Sequence, residues 1–343
     1  MSERTKTRKD RKPGTYSGFS LLEMLISMVI LLGVTAVVMS GLLQTTNTEG
    51  TVQNRTEMHA SVRSATELLQ QEIGQAGRVA LPTLQVTLTS PVTIPGTATP
   101  TVSSAAGMFV GEELVVDTGA GYGTTGLTGS AQETVKVTVV NTTATPNTFT
   151  AVFDLPHLIG TPVTVKGGFG TGIVPESAPP YNMTDGSDGS HLKLYGDING
   201  DGNMVYVEYV CDTAGGNLYR SVSPIGAALI AAKTILLPNI LPNPPNPGGP
   251  PCFTYQERPA GCNSTTANPC FVVDVAVTLT VQTQLPDPST GLYQQETKAL
   301  LNVSPRNVFD AYQLSTLNND RVQPMPSTVG TTPPNTGLTS QTP

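Results

Sequence analysis

The sequence predicts an α+β protein: a long N-terminal helix whose first half spans a membrane, packed on an antiparallel β-sheet body that carries an inserted β-rich module. Three observations predict it. From Phe19 to Leu43 the chain is apolar, with Glu23 as its single ionisable side chain. From Met58 to Ala76 apolar residues recur at helical spacing. Beyond Leu84, short runs rich in Val, Thr and aromatic residues are punctuated by Gly, Pro and Asn, as strands and hairpins are.

The apolar run of 25 residues makes a helix of about 37 Å, longer than the roughly 30 Å hydrocarbon core of a bilayer. A charged side chain at the centre of such a span costs about 2.5–3.5 kcal/mol, and less near its end, where Glu23 stands. Arg4, Lys6, Arg8, Lys9, Arg11 and Lys12 precede the span and bias the N-terminus towards the cytoplasm, with the body on the far side. Beyond the span, Met58, Val62, Ala65, Leu69, Ile73 and Ala76 form one face, with Arg55, Arg63, Glu67, Gln71 and Glu72 between them. The simplest reading is one helix from Phe19 to about Gln75, stopped near Gly74 and Gly77; the alternative is two helices broken near Asn47 to Gly50.

The basic leader followed by Gly18-Phe19-Ser20-Leu21-Leu22-Glu23 resembles the processing signal of type IV prepilins. The resemblance implies that a prepilin peptidase cuts after Gly18 and methylates the new N-terminus at Phe19, leaving the apolar helix on the mature chain. Cleavage frees an ammonium group on Phe19, and Glu23 four residues on can meet the ammonium of a neighbouring subunit as helices bundle. An unpaired charge is expensive in a medium of low dielectric, so this pairing would set the register of assembly. Many major pilins carry a proline some twenty residues into the mature helix; Ser40 stands there instead, so no kink is expected.

These features divide the chain into a cleaved leader (1–18), the helix (19–77, transmembrane over 19–43), the inserted module (78–175), the pilin-like body (176–311) and a disordered polar tail (312–343). In the module, Leu114-Val115-Val116, Val135 to Val140, Phe149 to Phe153 and Val163 to Val165 read as strands. Gly121-x-Gly123-x-x-Gly126 matches a dinucleotide fingerprint only in letters, since a strand rather than a helix follows it. In the body, His191 to Tyr195, Val205 to Val210, Phe271 to Leu285 and Lys298 to Val303 read as strands, and the alternation of Val273, Val275, Val277, Leu279 and Val281 predicts a face packed on the helix. Pro238 to Pro251 reads as an exposed connector. Ser304-Pro305-Arg306-Asn307 resembles the ending of W-type minor pilins and J-type pseudopilins.

The charge is asymmetric. The first 18 residues hold six of the 18 basic and two of the 25 acidic side chains, which leaves 12 against 23 and a net charge of −11. So acidic a body has no nucleic-acid footprint. Cys211, Cys252, Cys262 and Cys270 all follow the span, where oxidation is feasible; the four allow three disulfide pairings, which the sequence leaves open. Without Cys-x-x-Cys, and with His59, His157 and His191 far apart, a zinc centre is not expected. No nucleophile elbow or phosphate loop stands in a proper context, so the chain does not read as an enzyme.

One motif has the spacing of metal ligands. Asp197, Asn199, Asp201 and Asn203, with Gly202 and then Glu208, fit the calcium-loop pattern D-x-[DN]-x-[DN]-G-x5-E. Alternate oxygens would fold around a hard cation, and Glu208 at the twelfth position would close the shell. However, Val205, Val207 and Tyr209 alternate with Tyr206, Glu208 and Val210, so the chain leaves the loop as a strand, and the same residues suit a hairpin turn. Calcium is therefore one of two readings, and no cofactor is required.

The resemblance implies a minor type IV pilin, closest to the W type, that is incorporated into a pilus or primes its assembly. Its partners would be the prepilin peptidase, other major and minor pilins through the N-terminal helix, an inner-membrane assembly platform and, before assembly, membrane lipid. It would sit in the inner membrane by a single pass with its body in the periplasm, then in a pilus or pseudopilus at the cell surface. The alternatives are a J-type pseudopilin of type II secretion and, from another class, a membrane-anchored periplasmic binding or adhesive protein that never assembles.

Overall fold

The computed structural model describes residues 18, 20–81, 85–118, 132–177, 185–225, 233–259, 262, 270–317, 322–326 and 329. Gly121, Gly123 and Gly126 lie outside them.

Helix α1 runs unbroken from Leu21 to Gln75, 55 residues, or roughly 82 Å. It passes Ser40 and the Asn47 to Gly50 stretch without a break. The hydroxyls within its apolar half are satisfied internally: Thr35 donates to the Leu31 carbonyl at 2.7 Å and Thr45 to that of Gly41 at 3.0 Å. Such back-bonding is what a polar side chain needs where no water is available. Contact with the body begins near Thr51, whose hydroxyl donates to Asp287 Oδ1 at 2.8 Å. The segment before it projects about 43 Å. The helix ends where Gly77 takes φ +82° and donates its N–H to the Tyr195 carbonyl at 2.9 Å.

The module is an antiparallel sheet of β1 (Val86–Thr87), β2 (Gly96–Ala98), β3 (Thr101–Val102), β4 (Glu113–Val116), β5 (Glu133–Asn141), β6 (Asn147–Phe153) and β7 (Pro162–Val165). The strands lie in the order β1-β7-β4-β5-β6-β2, with β3 also on β6. It closes on its own core, including Leu88, Leu114, Val137, Phe149 and Phe153. The short β8 (Phe169–Gly170) then leads back to the helix end.

The body holds two further sheets. One is the meander β12-β11-β10-β9, from β9 (His191–Gly196), β10 (Val205–Asp212), β11 (Asn217–Pro224) and β12 (Thr234–Pro238). In the other, β15 (Phe271–Gln282) carries β13 (Ile240–Leu241) and β14 (Phe253–Arg258) along one edge and β16 (Gln295–Val303) along the opposite one. Val62, Ala65, Leu69 and Ile73 of α1 share one core with Val207 and Leu218 of the meander and Val275, Val277 and Leu279 of β15. The stripe expected from sequence is thus the surface that both sheets cover.

Two expectations need correction. Residues 312–316 belong to helix α2 (Arg306–Thr316), and β17 (Val322–Gln323) pairs in parallel with β8, so the C-terminal part is not simply a disordered tail from 312. Its polar composition hides a specific use: buried Gln323 donates to the carbonyls of Glu113 (2.7 Å) and Lys166 (3.0 Å) and accepts from the Glu113 N–H at 2.9 Å, pinning this segment to the module. The connector 238–251 is likewise only partly exposed. Ile240 is buried in β13, and buried Asn243 donates to the Thr278 carbonyl at 2.9 Å and accepts from the Thr280 hydroxyl at 2.9 Å.

Candidate functional site

Two regions carry residues singled out by sequence. The first is the N-terminal half of α1. Its apolar side chains are exposed throughout, and it is a helix long and apolar enough to cross a membrane, lying near the N-terminus. Glu23 lies exposed in its first turn, and the Ser27 hydroxyl donates to the Glu23 carbonyl at 2.5 Å. Nothing crowds Gly18, and Phe19 lies outside the described residues.

The second is the loop Asp197–Asn203 between β9 and β10. Gly200 and Gly202 take φ +72° and +82°, the left-handed conformations that let the chain reverse tightly. Ile198 is buried in the main core, while Asn199, Asp201 and Asn203 face solvent. The Asn203 N–H donates to Asp201 Oδ1 at 2.9 Å, and this donation holds the Asp201 carboxyl below its ordinary value. Asp197 is fully buried, and its own N–H donates to the Arg78 carbonyl at 2.8 Å.

The structure separates Glu208 from this group. The register places Val205 opposite Gly196 and Glu208 opposite Lys193, so Glu208 lies three residues, about 10 Å, along the strand from the loop. It is buried beside Tyr206, whose hydroxyl donates to it at 3.3 Å, and burial raises its carboxyl above the usual range. Glu208 therefore lies away from the loop, because a strand extends where an EF-hand helix would coil the twelfth residue back.

The cysteines pair as Cys211–Cys252 and Cys262–Cys270, and none is free. The first bond joins β10 to the start of β14, linking the two body sheets. Glu257 lies close to Cys262 and Cys270, but both sulfurs are committed to a disulfide and cannot act as thiolate ligands.

Sequence reasoning missed Glu72. It was placed with the polar face, yet it is buried against β10 and β11, where it takes an ion pair from Arg220 and a hydrogen bond from Tyr209. Its position one residue before Ile73 and three after Leu69, both buried, was the available signal.

No protein-family model, curated protein or solved structure matches the chain. The fold defines a class of architecture: one long apolar N-terminal helix, half of it bare, on an antiparallel sheet body, a loosely pilin-like plan.

Proposed function

We propose that the chain is a minor type IV pilin, cut after Gly18, methylated on Phe19 and carried into a filament by its apolar helix. The observation that carries this reading is the bare rod: exposed apolar side chains from Leu21 to Leu43 on a helix whose second half is fixed in the body. That much exposed apolar surface needs lipid or other helices around it. The sequence Gly18 to Glu23 at its start favours a helix that leaves lipid for sister helices over a plain anchor. A separately cored module on the body suits a sparse or tip component better than a subunit repeated along a tight filament.

Mass spectrometry of the N-terminus of the native protein tests it. The expected mature chain begins with methylated Phe19. An intact Met1, or a cut beyond Ser40 that removes the rod, would overturn the assignment and leave the anchored binding protein or a secreted one. If Phe19 is found, the genes beside this one separate a pilus component from the J-type pseudopilin.

A further inference from the structure

Turn-making does not account for the state of Asp197. The residue is fully buried, neither carboxylate oxygen has a hydrogen-bond partner among the described residues, and Arg78 Nε approaches Oδ2 only at 3.5 Å, from a side chain that is 45% exposed. A buried carboxylate without strong partners is costly, and a hairpin turn does not ask for one.

We propose that the loop Asp197–Asn203 binds a calcium ion through the side chains of Asp197, Asn199 and Asp201 and the backbone carbonyl of Asn203. These are the first, third, fifth and seventh positions of a calcium loop, the seventh of which uses its carbonyl. The donors are all oxygens, as a hard cation prefers. With Glu208 displaced along the strand, water completes the shell, which places the affinity in the weak range of extracellular modules, a Kd on the order of 10⁻⁴–10⁻³ M. Arg78 is the competing cation: its guanidinium also reaches over Gly200, within 3.4 Å of where a Cβ would stand, and it must swing outward when calcium enters. The ion also bears on the whole fold. Because Asp197 is bonded to the residue directly after Gly77, occupancy ties the end of α1 to the β9–β10 hairpin.

Calorimetric titration of the full-length protein in detergent, stripped with EDTA and titrated with calcium chloride, tests the proposal. The expected result is one calcium per chain, with magnesium a poor competitor. Asp201→Ala, at an exposed position that leaves the fold intact, is expected to weaken binding at least about tenfold. Arg78→Gln is expected to tighten it severalfold, and Glu208→Gln to leave it unchanged. No binding up to about 10 mM calcium by folded protein, or undiminished binding by Asp201→Ala, would show that the loop is only a turn. Loss of binding in folded Glu208→Gln would overturn the ligand set.

Discussion

Arg220 on β11 grips Glu72 on α1 with two nitrogens: Nε lies 3.1 Å from Oε2 and Nη2 bonds Oε1, while the Tyr209 hydroxyl donates to Oε2. Glu72 is 4% exposed and thus deep in the contact between helix and meander. Burial raises the Tyr209 hydroxyl above its ordinary value, so it remains a donor at all working pH values. Removing one partner of such a pair leaves the other charge buried and unpaired, at a cost of about 3–5 kcal/mol. Glu72→Ala or Arg220→Ala should therefore destabilise the full-length protein by several kcal/mol in denaturant unfolding. Glu72→Met with Arg220→Met should recover most of that loss, since well-packed apolar residues replace such pairs at little cost. A single variant losing under about 0.5 kcal/mol would mean that packing alone holds the helix.

The same helix end is set by a crossing of glycine backbones. Gly172 takes φ +61°, and a Cβ there would stand 2.4 Å from the Gly77 nitrogen; Gly196, on the strand beside them, would bring a Cβ to 3.0 Å from the same atom. Three chain segments meet where only hydrogen fits. Gly172→Ala should cost at least about 3 kcal/mol or abolish folding, placing it in the tail of large single-site effects. Gly74→Ala, on the last turn of α1 with nothing within 4 Å, should stabilise by about 0.5–1 kcal/mol. Comparison of the two melting curves separates the effect of the crossing from that of losing a glycine.

Within the module, Glu112 is fully buried, one carboxyl oxygen has no hydrogen-bond partner among the described residues, and burial pushes its pKa up to about 8. A folded-state pKa above the unfolded value means that the folded chain holds the extra proton. The contribution of Glu112 to stability is then most favourable below about pH 4.5 and falls by roughly 1.4 kcal/mol per pH unit until pH 8. Glu112→Gln should flatten that slope and be the more stable form at pH 8. Denaturant unfolding at pH 5 and pH 8 checks it, and equal slopes for both proteins would refute the buried acid as the cause.

Much of this architecture was legible in local pattern, and what was missed depends on distant partners. The strands around Val116, Val137, Phe149 and Val275 were expected because alternation follows from one-sided burial, and the one around Val207, buried on both faces, from its run of Val and Tyr. The helix stripe Val62 to Ile73 was legible for the same reason. β11 and β14 were not foreseen, because Arg220 and Gln256 break their apolar pattern; Arg220 does so to reach Glu72 across 148 positions of sequence. Gln323, a lone polar residue in a polar segment, gave no local sign of the carbonyls it meets at Glu113 and Lys166. In the loop, the Asp197 to Asn203 spacing was readable, and the alternation after Val205 already showed that a strand carries Glu208 away; the register fixed how far.

On the proposed function, Glu23 acts when the helix passes from lipid into a bundle. In the membrane its carboxylate stands near the end of the span, where lipid headgroups and water are close and the penalty is modest. In a bundle it lies among helices, and the ammonium that cleavage frees on the Phe19 of a neighbour becomes its partner at low dielectric, where both charges need one. Glu23→Val removes the carboxylate and leaves that ammonium unpaired at the moment of assembly, without touching the bond cut after Gly18. The variant should be trimmed and inserted normally, with the same N-terminal mass shift from Phe19 as the wild type. Its recovery in filaments sheared from the cell surface should drop at least about tenfold, equivalent to roughly 1.4 kcal/mol. Glu23→Asp, which keeps the charge on a shorter arm, should recover part of the loss. Undiminished recovery of the valine variant would show that the pair plays no role in assembly, whereas an untrimmed valine variant would place Glu23 in the cleavage signal itself.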